Sequence, residues 1–162
     1  MTVFAVALFA WNCEKDDICD EATSTTPRLI LHFYDAANPT TEKNVTNLSV
    51  TAVGSTNDPL TFNGKSQIEL PLKTTDDATS YSLILNSTSP TLDNEDLLTF
   101  NYARSEVFVS RACGYKVVFQ LDPTTPFVHD DPTPADGLWM QSVQVTQPNV
   151  QNENEVHISI YF

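Results

Sequence analysis

Basic residues are scarce in this chain. Lysine and arginine number 8 against 21 aspartates and glutamates, a formal net charge of −13. A surface of that sign repels phosphate backbones, which argues against nucleic acid as a partner. Glycine is scarcer still, with 4 residues, and none lies in a phosphate-cradling run or in a Gly-x-Ser-x-Gly turn. No apolar run reaches the roughly 20 residues that a membrane-spanning helix needs. No segment sustains a 3.6-residue period, so helices are not expected. The 3 cysteines and 3 histidines do not stand at zinc-ligand spacing.

What the chain does have is alternation. Leu29, Leu31 and Phe33 fall on one face of an extended segment, with Ile30, His32 and Tyr34 on the other, the pattern of a central strand. Period two returns at Leu48–Ala52, at Leu60 and Phe62, and at Ile68, Leu70 and Leu72. Asn63-Gly64 predicts a hairpin between the last two of these. Pro71 places the return strand at a sheet edge or at a strand end. Further alternating runs hold Tyr81–Leu85, Leu98–Tyr102, Tyr115–Leu121 and Val156–Phe162. Residues 87–96 and 122–137 read as long polar loops, the second broken by Pro123, Pro126, Pro132 and Pro134. With 10 prolines, 41% hydrophobic and 18% charged residues, this is the composition of a folded domain of short strands with stiff connections. The fold class expected is all-β, an antiparallel two-layer β-sandwich of immunoglobulin-like character. A small closed β-barrel is the alternative.

The first stretch, Met1 to Trp11, is apolar and uncharged. It has the length of a signal-peptide core but lacks the basic segment in front, as expected if the true start lies upstream or the sequence is truncated; the alternative is a buried N-terminal strand. Leu8-Phe9-Ala10-Trp11-Asn12-Cys13 resembles the box that ends a bacterial lipoprotein signal, although Asn12 and Trp11 depart from its usual small residues. Lys15-Asp16-Asp17 resembles the export mark of surface lipoproteins in Bacteroidetes. The domain organisation expected is therefore 1–12 signal-peptide remnant, 13–27 lipidated acidic tether and 28–162 one domain. Two acyl chains on Cys13 would give stable anchoring where one would not. Cys19 and Cys113 then remain; in an oxidising compartment they form a disulfide, unless each is a separate free thiol. Closing so long a loop is worth roughly 4–5 kcal/mol in chain entropy.

The segment EVFVSRACGYKVVFQLD from Glu106 is the most distinctive text in the chain. With NCEKDDIC from Asn12, PRLILHFYD from Pro27 and LPLKTT from Leu70, it resembles an uncharacterised family of flavobacterial lipoproteins over nearly the whole chain after the leader. The resemblance implies lipidation of Cys13 and supports the Cys19–Cys113 pair. It implies no activity, and no catalytic residue is carried over.

Candidates for chemistry are few. His32 and His157 lie on strands, and His129 lies beside Asp130 and Asp131. Asp93, Glu95 and Asp96 in one loop, and Asp130 and Asp131 in the other, are weak candidates for a shared calcium site, since one loop alone offers too few oxygens. Arg104 and Arg111 each call for an acidic partner if buried. These observations give the expectation of an exported, outer-membrane, surface-anchored lipoprotein that binds a protein or glycan partner, or is structural, without catalysis or cofactor. The loops 87–96 and 122–137 are the candidate binding surfaces. The alternative is a barrel that carries an apolar ligand in a cavity lined by Phe33, Phe100, Tyr115 and Phe119.

Overall fold

Side-chain alternation sorts the chain into two layers. In the computed structural model, which describes residues 18–20, 23 and 25–162, there are strands and no helix among the described residues. The strands are β1 (Leu29–Tyr34), β2 (Leu48–Ala52), β3 (Leu60–Phe62), β4 (Gln67–Leu70), β5 (Ala78–Leu85), β6 (Asn94–Ser110), β7 (Gly114–Leu121), β8 (Phe127–Asp130), β9 (Ser142–Val145), β10 (Asn149–Val150) and β11 (Ile158–Tyr161). One sheet runs β4-β1-β11-β9; the other runs β10-β7-β6-β5-β2-β3, with β8 also on β6. All pairs are antiparallel except β1 with β11, which are parallel.

Leu29, Leu31, Phe33, Ile68, Leu70, Ile158 and Ile160 of the first sheet meet Leu48, Val50, Tyr81, Leu83, Leu98 and Phe100 of the second. The result is a β-sandwich with open edges, and no barrel closes. The barrel alternative is therefore corrected. Phe33, Phe100 and Phe119 fill the core instead of lining a cavity. Tyr115, expected beside them, is 67% exposed.

Three further corrections concern connections. Asn63-Gly64 does turn the chain, with Gly64 at φ 66°. Yet the strands on either side do not pair: β3 joins β2 and β4 joins β1, in different sheets. A turn dipeptide specifies local reversal, whereas the partner is chosen by burial of Ile68 and Leu70 against β1. The acidic loop expected at 87–96 stops earlier, because β6 begins at Asn94. The proline-rich stretch expected as one loop contains β8, which extends the line of β7 along β6: Tyr102 faces Leu121 and Phe100 faces Phe127. The edge position inferred from Pro71 stands, since β4 is an edge strand ending at Leu70.

The passage from β4 to β5 is fastened by two buried phenols. Tyr81 donates to the carbonyl of Pro71. Tyr102 donates to that of Lys73 at 3.0 Å, and the Lys73 amide donates to Thr79 Oγ1 at 2.9 Å. Thr79 therefore turns its own proton to Tyr102, 2.6 Å away, and the circuit closes. Arg104 completes the attachment through Asp77 at 2.7 Å and the Thr74 carbonyl at 2.6 Å. It is a structural ion pair.

On the outer face of the first sheet His157 is buried. Its Nδ1 accepts from the Ile30 amide at 2.9 Å, so the ring proton lies on Nε2, which has no hydrogen-bond partner among the described residues. Burial pushes its pKa down, against a smaller opposing pull from Glu155 and Glu153. The unfolded chain takes up this proton near pH 6.5, while the folded one resists it to lower pH. The stability involved is thus complete above that pH and is lost as pH falls through the depressed native value. Urea unfolding from pH 7.5 to 5 should show a steeper acid loss for the wild type than for His157→Asn, which keeps an acceptor but cannot titrate. Equal slopes would remove His157 from the account.

Candidate functional site

β6 outlasts its neighbours. β5 pairs with it only as far as Asn101, and from Tyr102 onward its strand partner is β7. The resulting hairpin reaches about 30 Å from Asn101 to Ser110 at 3.3 Å per residue. A bulge between Phe108 and Ser110 and a left-handed Gly114 at φ 71° make its turn. A side chain at Gly114 would have room but would strain the backbone. The Cys113 amide donates to Ser110 Oγ at 3.0 Å within the turn.

Cys113 is bonded to Cys19, with Cα atoms 4.9 Å apart and a sequence separation of 94. Of the two fates open to these cysteines, the bridge is the one present. The segment that follows Cys19 returns along β7, where Thr26 Oγ1 accepts from the Val117 amide at 3.0 Å. Cys13, Lys15, Asp16 and Asp17 lie outside the described residues. Arg111, in the turn, is exposed and makes no ion pair with the described residues. Phe108 and Tyr115 face each other across the hairpin as an edge-to-face pair with centroids 5.4 Å apart. They are 56% and 67% exposed. Among the described residues, the most exposed aromatic pair is therefore near the end of the β6–β7 hairpin.

The two expected binding loops do meet. Asn94 Nδ2 donates to the Gly137 carbonyl at 2.5 Å, and Asp93, Glu95 and Asp136 share a surface hollow of about 180 Å³ with Pro132, Thr133 and Pro134. The weak metal candidates do not converge there, and no group of three metal-binding side chains forms among the described residues. Asp96, expected in a solvated loop, is wholly buried. Its Oδ1 accepts from the Trp139 amide at 3.2 Å, and its Oδ2 from the Met140 amide at 3.0 Å and His129 Nε2 at 2.7 Å. Glu95 accepts from Ser82, Asp131 accepts from the Gly137 amide, and Asp130 is exposed on β8. The correction has a simple cause: strand alternation turns Asp96 inward while Glu95 points out.

A second imidazole–carboxylate pair was not anticipated. Glu42 Oε1 lies 3.3 Å from His32 Nε2, and His32 Nδ1 lies 3.0 Å from the Tyr34 hydroxyl. Tyr34 also stacks on Tyr161 at 5.4 Å. Burial first, then Tyr161 and Glu42, hold the Tyr34 phenol above its ordinary pKa. Carboxylate, imidazole and hydroxyl in series are the order of a hydrolytic triad. Here the hydroxyl is a phenol biased towards its protonated form, which suits donation to His32. Only the spacing of His32 and Tyr34 on one strand face was visible in the sequence.

The fold and this site define an all-β two-sheet sandwich with a disulfide-fastened hairpin. The chain belongs to the family of unknown function (DUF6452), whose model matches residues 47–162. No curated protein and no solved structure matches the chain.

Asp96→Asn should destabilise the domain by about 3 kcal/mol, the scale for losing a buried charge-assisted hydrogen bond and leaving its donor unpaired. The amide must turn its NH₂ towards one of three donors. At roughly 3 °C per kcal/mol this lowers Tm by on the order of 10 °C. Calorimetry that finds the variant unchanged would show that the carboxylate is dispensable.

Proposed function

We propose that this is an exported lipoprotein of the cell envelope, anchored through Cys13 at the outer membrane and displayed on the cell surface. It acts there as a binding or structural module, on a protein or glycan partner, and not as an enzyme. The observation that carries this reading is the Cys19–Cys113 bridge, which forms only six residues after Cys13. Thiols are kept reduced in the cytosol, so a bridge across the domain suits an oxidising compartment. The resemblance of Lys15-Asp16-Asp17 to a surface-export mark supports the same location. A contact role draws support from the His129 site, where three donors already occupy the Asp96 carboxylate.

Metabolic labelling with a fatty-acid analogue tests the anchor. The wild-type protein should carry label and Cys13→Ser should lose it entirely; label that persists on the variant overturns the assignment. Protease treatment of intact cells should remove the domain from the wild type if it is displayed outside.

A further inference from the structure

The tip of the β6–β7 hairpin has no part in the core, yet it exposes large apolar side chains. Phe108 is 56% exposed, Tyr115 67% and Val107 40%, and Ile18, next to the bridged Cys19, is 81% exposed. Nothing in the sandwich explains large apolar side chains there. Residues 107–121 contain Arg111 and Lys116 and no carboxylate, in a chain with 21 acidic residues. In sequence, Glu14, Lys15, Asp16, Asp17 and Asp20 flank the bridged Cys19, so these stretches taken together are not cationic. Attraction to anionic lipid is therefore not its main property; the aromatic pair is.

Chain length says what lies opposite this tip. Cys13 and Cys19 are separated by six residues, which reach at most about 21 Å when fully extended. Cys19 is bonded to Cys113 in the hairpin turn. An acyl group on Cys13 thus holds the turn within that distance of the bilayer surface, and Phe108 and Tyr115 with it. Aromatic side chains with an apolar body and a polar edge favour the membrane–water boundary. Arg111 can set its guanidinium against lipid phosphate, while its stem lies along the apolar surface.

We propose that the hairpin tip is a second membrane contact, in which Phe108 and Tyr115 seat in the headgroup region of the bilayer that holds Cys13. This rests on the lipoprotein reading for its geometry. It assigns the domain an orientation: hairpin down, with the hollow at residues 93–95 and 132–136 free to meet a partner. Because the aromatics drive it and the local charges largely cancel, docking depends little on salt.

The test uses the full-length protein purified from its own membrane and reconstituted in phosphatidylcholine–phosphatidylethanolamine vesicles. Tyr115→Trp places a reporter at the tip, with the buried Trp139, and Trp11 where the leader is retained, as background common to variant and wild type. Lipids brominated near the headgroup should quench the variant well beyond the wild type, and 0.5 M salt should change this little. Equal quenching of variant and wild type overturns the proposal. The second measurement is vesicle sedimentation of Cys13→Ser, with and without Phe108→Ser and Tyr115→Ser. The double substitution should reduce partitioning on the order of tenfold, for the apolar area it removes, at unchanged Tm. No reduction counts against the tip. Self-association without vesicles, abolished by the same two changes, would replace the membrane with a second copy of the chain and so also overturn the proposal. Failure of acylation at Cys13 with quenching retained sinks the anchor and leaves the tip contact standing; acylation without quenching does the reverse.

Discussion

A fully buried carboxylate has to be surrounded by donors, and in this sandwich that requirement decides how the second sheet connects to the first. Asp96 sits on β6 in the larger sheet and collects the amides of Trp139 and Met140, which lead into β9 of the smaller one. His129 on β8 supplies the remaining donor. With its backbone held there, Trp139 turns its indole inward, donates Nε1 to the Leu83 carbonyl and meets Phe162 edge to face at 5.4 Å. A polar anchor thus positions one of the largest apolar side chains of the core. Charged hydrogen bonds are stronger and more directional than dispersion contacts, so they suit a junction that must have one geometry.

The same division of labour recurs elsewhere. Apolar alternation assigns residues to layers, while buried polar groups fix the passages between strands. The phenols of Tyr81 and Tyr102, with Thr79, hold the stretch from Pro71 to Lys73. The His157 ring takes the Ile30 amide and so links the start of β1 to the approach of β11. Apolar burial alone is tolerant of small shifts in register or angle; hydrogen bonds to single backbone groups are not.

This division also explains what could be read in advance. The strands at Leu29–Phe33, Tyr81–Leu85, Leu98–Tyr102 and Ile158–Ile160 were legible because alternation is a local property of the chain. Two sheets without helices followed from them. The partners of β3 and β4 were not legible, because Asn63-Gly64 looks the same whether its flanks pair or diverge. β8 was hidden among prolines that forbid a long strand but allow four residues. Asp96 was misread because its neighbours Asp93 and Glu95 resemble a solvated loop, and its donors lie 33 to 44 residues away. Glu42 was missed for the same reason: nothing near it in sequence points to His32. The pairing of Cys19 with Cys113 was reachable, because few cysteines leave few choices.

The bridge between the tether and the hairpin turn has a mechanical consequence. The covalent path from Cys13 into the body divides at Cys19, and the shorter branch ends in the turn after β6. A pull on the chain before Cys19 therefore loads β6 and β7 along their length before it reaches Leu29, and the parallel seam between β1 and β11 is shielded. Such a load would be borne by β6, the longest strand of the larger sheet, together with β7 beside it.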